Sequence, residues 1–156
     1  MSDTGQLPDS PAKIMLDLLI DRGLGNAHNG VGGWPVYRVN KPQSPDAVII
    51  VQNTAAVQQG KIQTSGRVVS KKGIQITVRD NDYQEVYGKV ESIATDLAED
   101  ISFPLIFQVG SNYYNITGIT RSSGPNDIGT EVEASQRYLF TLNLLLSIVW
   151  LEGYTP

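Results

Sequence analysis

The chain has no cysteine among its 156 residues. That excludes disulfide staples, thiolate metal sites and cysteine nucleophiles together. It has a single histidine, His28, so the side chain most used for metal binding and proton transfer is nearly absent as well. No apolar run reaches the ~20 residues that a membrane-spanning helix needs. The start, MSDTGQLPDSP, is polar and lacks the basic-then-apolar order of a secretion signal. A soluble protein made in the cytoplasm is the expectation. Basic charge is also scarce, with 12 Lys and Arg against 16 Asp and Glu and a net charge of −4. Binding to nucleic acid draws largely on phosphate neutralisation, so an extended duplex-binding surface is not expected.

What remains is an ordinary globular composition, 40% hydrophobic and 18% charged. The length suits one domain with a core of its own. Residues 1–8 read as a flexible arm and 9–156 as that domain. DSPAKIMLDLLIDRG predicts a helix, with Asp9 or Ser10 as the cap, Pro11 in the first turn and Gly23 as the stop. Ile14, Met15, Leu18 and Leu19 share its apolar face. The Gly-, Asn- and Pro-rich stretch that follows predicts a long loop, with a short extended piece over Val36 to Val39.

The run DAVIIVQN is dominated by β-branched residues and predicts a strand covered on both faces. TAAVQQGKIQTSG reads as a protruding loop or an irregular hairpin. In RVVSKKGIQITVRD, Ile74, Ile76 and Val78 fall on one face of a strand and Gln75, Thr77 and Arg79 on the other. The period then changes from two to 3.6. Asp82 is placed to cap a helix, with Glu85 three residues on. Tyr83, Val86, Tyr87, Val90, Ile93, Ala94 and Leu97 form its apolar stripe. Asp96, Glu99 and Asp100 at its end have the wrong sign for the helix dipole and read as a solvated end.

FPLIFQVGSNYYNITGIT predicts a hairpin turning at Gly110, Ser111 and Asn112, and RSSGPNDIGTEVEASQ a polar loop. In RYLFTLNLLLSIVW every even position from Tyr138 to Trp150 is apolar, which predicts a long strand, with a helix as the alternative. The fold class expected is therefore α/β in the α+β sense: a mixed, largely antiparallel sheet with two helices packed on it.

Little in the sequence points to catalysis. His28 stands in a glycine-rich loop without a second ligand type nearby, so no metal site is expected. GLGNAHNGVGG follows a helix and lacks Gly-Lys-Ser or Gly-Lys-Thr, so it reads as a connection and not a phosphate cradle. No GxSxG elbow occurs. Arg67, Lys71 and Lys72 form a short basic cluster without interleaved aromatics. It reads first as the solvated edge of a strand and second as a nucleic-acid contact. The seven tyrosines suit an interface, yet most fall on core-facing positions. No catalytic residue, metal or cofactor is assigned.

Three stretches carry a resemblance: PAKIMLDLLIDRGLG, IQITVRDNDYQEVYGKVESIATDL and SSGPNDIGTEVEASQRYLFTLNLLLSI. In the second, Val78 and Arg79 end a strand that runs straight into a helix opening on Tyr83 and closing through Ala94 and Leu97. In the third, Pro125, Gly129, Glu131, Arg137 and Asn143 carry the likeness. In order and spacing these resemble the tail terminator proteins of long-tailed bacteriophages, also called tail completion or minor capsid proteins. The likeness runs from Pro11 to Ile148, and its motifs are short and degenerate.

The resemblance implies a virion structural protein of the neck, a homohexamer ring on the head-proximal end of the tail tube. Such a ring ends tube polymerisation and forms the head–tail joining surface. Its partners would be copies of itself, the tail tube protein and a head connector protein. DNA would pass through the lumen without specific binding, and no membrane is involved. Lys61, Arg67, Lys71, Lys72, Arg79, Asp80, Asp82 and Glu131 are the candidate contacts between subunits or with the tube. For Arg79 and Asp82 the plainer roles are a solvent-facing strand residue and a helix cap. Three other functions stand beside this one: a different connector ring (stopper or adaptor), a nucleic-acid-binding accessory protein using Arg67, Lys71 and Lys72, and a small-molecule enzyme whose site is built from distant residues.

Overall fold

The computed structural model describes residues 7–27, 33–38, 45–61, 68–132 and 136–156, with the side chains of 55–61, 68–70 and 131–132 outside that description. His28, Arg67 and most of the glycine-rich connection therefore lie outside the described residues, as do the side chains of Lys61 and Glu131.

Helix α1 spans Pro11–Asp21 and opens on Ser10, whose hydroxyl accepts from the Lys13 amide. Strands β1 (Asn26–Ala27) and β2 (Pro35–Arg38) follow, then β3 (Val48–Lys61) and β4 (Val68–Asp80). Helix α2 covers Tyr83–Thr95 and runs on into a single π-helical turn, Asp96–Asp100. Strands β5 (Leu105–Val109), β6 (Asn112–Val132) and β7 (Gln136–Trp150) complete the chain.

The seven strands form one mixed sheet in the order β1-β2-β3-β4-β7-β6-β5. Only β1–β2 and β2–β3 are parallel; the rest is antiparallel. The expected architecture, two helices packed on a mixed and mostly antiparallel sheet, is what the chain adopts. The strand alternative for Tyr138 to Trp150 holds, and β7 lies between β4 and β6, inside the sheet.

The core follows the two periods. On β7 the even positions from Phe140 to Ile148 are buried, level with Ile74, Ile76 and Val78 of β4. Both helices pack on this face, α1 through Ile14, Met15, Leu18 and Leu19, and α2 through Val86, Val90, Ile93 and Ala94. Each such aliphatic side chain taken from water stabilises the fold by about 1.5–3 kcal/mol. α1 is also tied at its first turn, where Asn53 Oδ1 accepts from the Ala12 amide at 2.8 Å. Arg22, just past α1, holds Asp96 through two hydrogen bonds of 2.7 and 2.9 Å. The end of the second helix was expected to be solvated; Asp96 instead has a partner.

Several expectations need correcting. RSSGPNDIGTEVEASQ is not a loop over its described part: β6 runs on to Val132 and pairs with β7 throughout. Four register shifts absorb the residues that do not fit a regular strand. At Gly124 a side chain would meet the Thr141 carbonyl oxygen at 2.6 Å, so this close approach needs glycine. For TAAVQQGKIQTSG the irregular-hairpin alternative holds over the described part, where β3 pairs with β4 as far as Lys61 through two register shifts.

Lys71 and Lys72 do not mark a sheet edge. β4 has β3 on one side and β7 on the other. Tyr83 and Tyr87 are about half-exposed, not core residues, and of the tyrosines only Tyr114 is fully buried among the described residues. Its hydroxyl donates to Asp9 Oδ2 at 2.6 Å and pins the start of the described chain to β6.

Candidate functional site

The sheet face opposite the helices is built by residues that alternate with the core positions: Gln75 and Thr77 of β4, Thr141, Asn143 and Leu145 of β7, Ile50 and Gln52 of β3. Neither helix covers it. Ile50, Gln52, Gln75, Thr77, Leu139 and Thr141 surround an open depression of about 300 Å³, with Ile128 leaning in from β6. Ile128 stands there because of a bulge. The β6–β7 register shifts between Asp127 and Gly129, Gly129 has φ +99°, and Asp127 Oδ1 accepts from the Gly129 amide. The extra residue, Ile128, is left 54% exposed.

Further along this face, Ile106 of the outermost strand β5 is 51% exposed. Its cross-strand partner Asn115 keeps its side-chain oxygen buried with no hydrogen-bond partner. Such an orphan acceptor costs about 1–3 kcal/mol until something donates to it.

At one end of the same face, two arginines are buried. Arg79, only 1% exposed, donates from Nη2 to the Pro45 carbonyl at 2.7 Å and from Nε to the Asp46 carbonyl at 3.2 Å. Arg137 Nε reaches Asp46 Oδ1 at 2.9 Å, and Asn81 Nδ2 donates to the other Asp46 oxygen at 3.3 Å. Three elements meet here: the end of β4, the start of β7 and the turn before β3. Partial burial, with the nearby charges of Asp46 and Asp82, holds the Asp80 carboxyl above its ordinary range, although the Asn81 amide works against this.

The helix side carries a second, shallower groove of about 350 Å³ between Trp34 and the outer face of α2, lined by Gln84, Glu85, Gly88, Lys89 and Ser92. Lys89 Nζ sits 5.8 Å from the centre of the Trp34 ring, and burial lowers its pKa. At the opposite flank Tyr83 packs edge-on against Tyr138 and Phe140 and donates its hydroxyl to Asp127 at 3.3 Å.

Among the described side chains, those named from the sequence do not gather at one place. Arg79 is buried, so it neither faces solvent nor offers a direct contact to another chain. Asp82 is the cap of α2, accepting from the Gln84 and Glu85 amides at 3.0 and 3.3 Å. Asp80 lies partly buried between them. Lys71 and Lys72 point to opposite faces of β4, with Lys72 on the helix side opposite Leu146. Lys61 lies in the backbone of the hairpin arm opposite Val68, and Glu131 in β6 opposite Arg137. Arg67 is outside the described residues.

The sequence reading passed over Asp46, Ile106, Asn115 and Ile128. For Ile128 there was a signal, Asp127-Ile128-Gly129, a turn-former and a glycine around an apolar residue. For Asp46 there was none, since its partner Arg137 is 91 residues away. Among the described residues no three His, Asp or Glu side chains are grouped to hold a metal ion, and no helix is long and apolar enough to cross a membrane. Compared with known protein families and with curated proteins, the chain gives no match.

Proposed function

We propose that the chain is a ring-forming structural protein of a phage virion, a tail terminator: a homohexamer that caps the head-proximal end of the tail tube, stops its growth and forms the surface that joins head to tail. One observation supports this reading most. β4 passes into α2 through Asn81 and the capping Asp82 alone, and both flanks of this joint are buried in the same core. A joint of two residues has little loop freedom to lose. The strand and the helix therefore act as one wedge, as a subunit with a fixed angle to its neighbours requires. Arg79 stiffens the wedge from below by binding the turn that leads into β3.

The test is the assembly state of the purified protein, measured by light scattering and by negative-stain imaging. Six-membered rings with a central hole are expected, and rings that bind purified tail tubes. A chain that stays monomeric at high concentration overturns the reading. Rings that bind isolated portal assemblies and not tubes move the assignment to a stopper or adaptor of the same neck.

A further inference from the structure

The groove along the outer face of α2 has a fixed wall and an open floor. Trp34 is the wall. Asn26 holds its backbone twice: the Asn26 amide donates to the Trp34 carbonyl at 2.8 Å, and the Trp34 amide donates to Asn26 Oδ1 at 2.9 Å. The indole also packs against the core. The floor is the helix itself, where Gln84, Gly88 and Ser92 follow one another at four-residue spacing along about 12 Å of its length. A glycine inside a helix weakens it. Packing does not require this one, because a Cβ at Gly88 would meet nothing within 4 Å. Its missing side chain leaves bare floor beside the indole.

Lys89 stands over that wall, half-buried, its Nζ 5.8 Å from the ring centre. This is the outer reach of a cation–π contact. Among the described residues no acceptor takes its N–H groups and no carboxylate pairs with it. Glu85, one turn earlier, has the spacing for an ion pair and makes none. Burial lowers the Lys89 pKa, and no acid is close enough to offset it. A cation drawn partly out of water without a counter-charge costs the fold stability, and an anion in the groove removes that cost.

We propose that this groove binds a small planar monocarboxylate, with its flat body along Trp34 and over Gly88 and its carboxylate on Lys89 Nζ. Ser92 and Gln84 line the same groove and carry further donors. One ammonium matches one negative charge. Glu85 also lines the groove and opposes a dianion such as phosphate. The volume, about 350 Å³, lies at the small end of ligand sites and suits a molecule of one or two fused rings at most. The inference goes beyond the assembly reading above and does not rest on it.

The experiment is a titration of the full chain with phenylacetate. Trp34 and Trp150 are the two tryptophans, so Trp34 fluorescence is followed in a Trp150→Phe background. A saturable change with a Kd on the order of 1 mM is expected for about ten non-hydrogen atoms in an open groove. Lys89→Met is expected to weaken binding about tenfold or more, through loss of a charge-assisted hydrogen bond. Gly88→Leu fills the floor, leaves Lys89 in place and is expected to weaken binding as much. Both variants are expected to melt no lower than wild type by circular dichroism. The first removes an unpaired, partly desolvated charge, and the second adds helix propensity. On the unmutated groove, phenylacetamide (the same shape without the charge) and acetate (the same charge without the ring) are each expected to bind at least about tenfold more weakly than phenylacetate.

Fluorescence that shows no saturable change overturns the inference. Phenylacetamide that binds as tightly as phenylacetate, or a Lys89→Met variant that binds as wild type does, overturns it too, because the charge then plays no part. A folded Gly88→Leu variant with unchanged affinity places the probe elsewhere and overturns the groove. Acetate that binds as tightly as phenylacetate overturns the planar ligand, since the contact is then a bare ion pair. The comparison of the three probes needs no variant at either residue, so it decides even where a substitution disturbs folding.

Discussion

Arg22 and Asp96 form a two-pronged ion pair, Nε to Oδ2 at 2.7 Å and Nη2 to Oδ1 at 2.9 Å, across 74 residues of chain. It locks the end of α1 to the π-helical turn that ends α2, and it raises the arginine pKa further through the hydrogen bond to Asp96. The π turn and the pair belong together, because the turn places Asp96 where the guanidinium can take both oxygens. Asp96→Ala is expected to destabilise the fold by about 1 kcal/mol, the upper end for a partly exposed pair with good geometry. Arg22→Lys is expected to lose nearly as much, since an ammonium cannot take both oxygens in one plane. Urea unfolding at neutral pH measures both, and an unchanged midpoint would show that the pair is incidental.

Arg79 presents a harder case, because its guanidinium is buried and donates to backbone carbonyls. Arg79→Met keeps the packing of the stem but leaves the Pro45 and Asp46 carbonyls without their donor. A loss of roughly 2–3 kcal/mol is expected. The turn before β3 should also open, giving faster amide exchange at Val48 and Ile49 than in wild type. Arg79→Lys is expected to restore only part of the loss.

Asp80 should respond to pH in the opposite direction from most carboxylates. Its folded pKa is raised, chiefly by burial, so protonation favours the folded state. The stabilisation is complete below the unfolded value of about 3.9 and is lost as pH rises through the folded value. Asp80→Asn, which stays neutral and keeps an acceptor for the Asn81 amide, is therefore expected to be more stable than wild type at pH 7. The two should converge below about pH 4. Thermal melts across that range measure the difference, and a variant less stable at neutral pH would contradict the assignment.

Tyr114 sets the alkaline limit. Burial, then the hydrogen bond to Asp9, raises its pKa. Its contribution is fully present below the unfolded value of about 10 and is lost as pH rises through the folded one. Wild type should thus lose stability steeply above about pH 10. Tyr114→Phe should start about 1–2 kcal/mol lower at neutral pH and fall less steeply. Phenolate absorbance would show one tyrosine titrating only as the protein unfolds.

The elements whose two faces differ in kind were legible in the sequence. β7 declared itself by alternation from Tyr138 to Trp150, and α2 by its cap at Asp82 and its stripe from Val86 to Leu97. What could not be read was pairing at a distance. Pro125, Asn126 and Gly129 looked like a loop because their local preferences are those of turns; β7 imposes a strand on them and bulges take up the misfit. Lys71 and Lys72 looked like an edge because nothing nearby in the sequence tells that β7 will pair with β4. Arg79 looked solvent-facing because the carbonyls it binds lie 33 and 34 residues away. The depression is of the same kind: its wall comes from β6 and its floor from β3, β4 and β7.

β7, which follows the other described strands in the chain, is an interior strand of the sheet. Until β7 emerges from the ribosome, the nascent chain holds two separate hairpins, β3–β4 and β5–β6, each with a bare inner border waiting for a partner. Gln75 must find Asn143, 68 residues later, and such distant pairing is slow. Closure has to wait for synthesis, and for that interval the borders are open to strands from other nascent chains. Yield in a heterologous host should therefore depend on translation speed and chaperone supply more than on the final melting temperature.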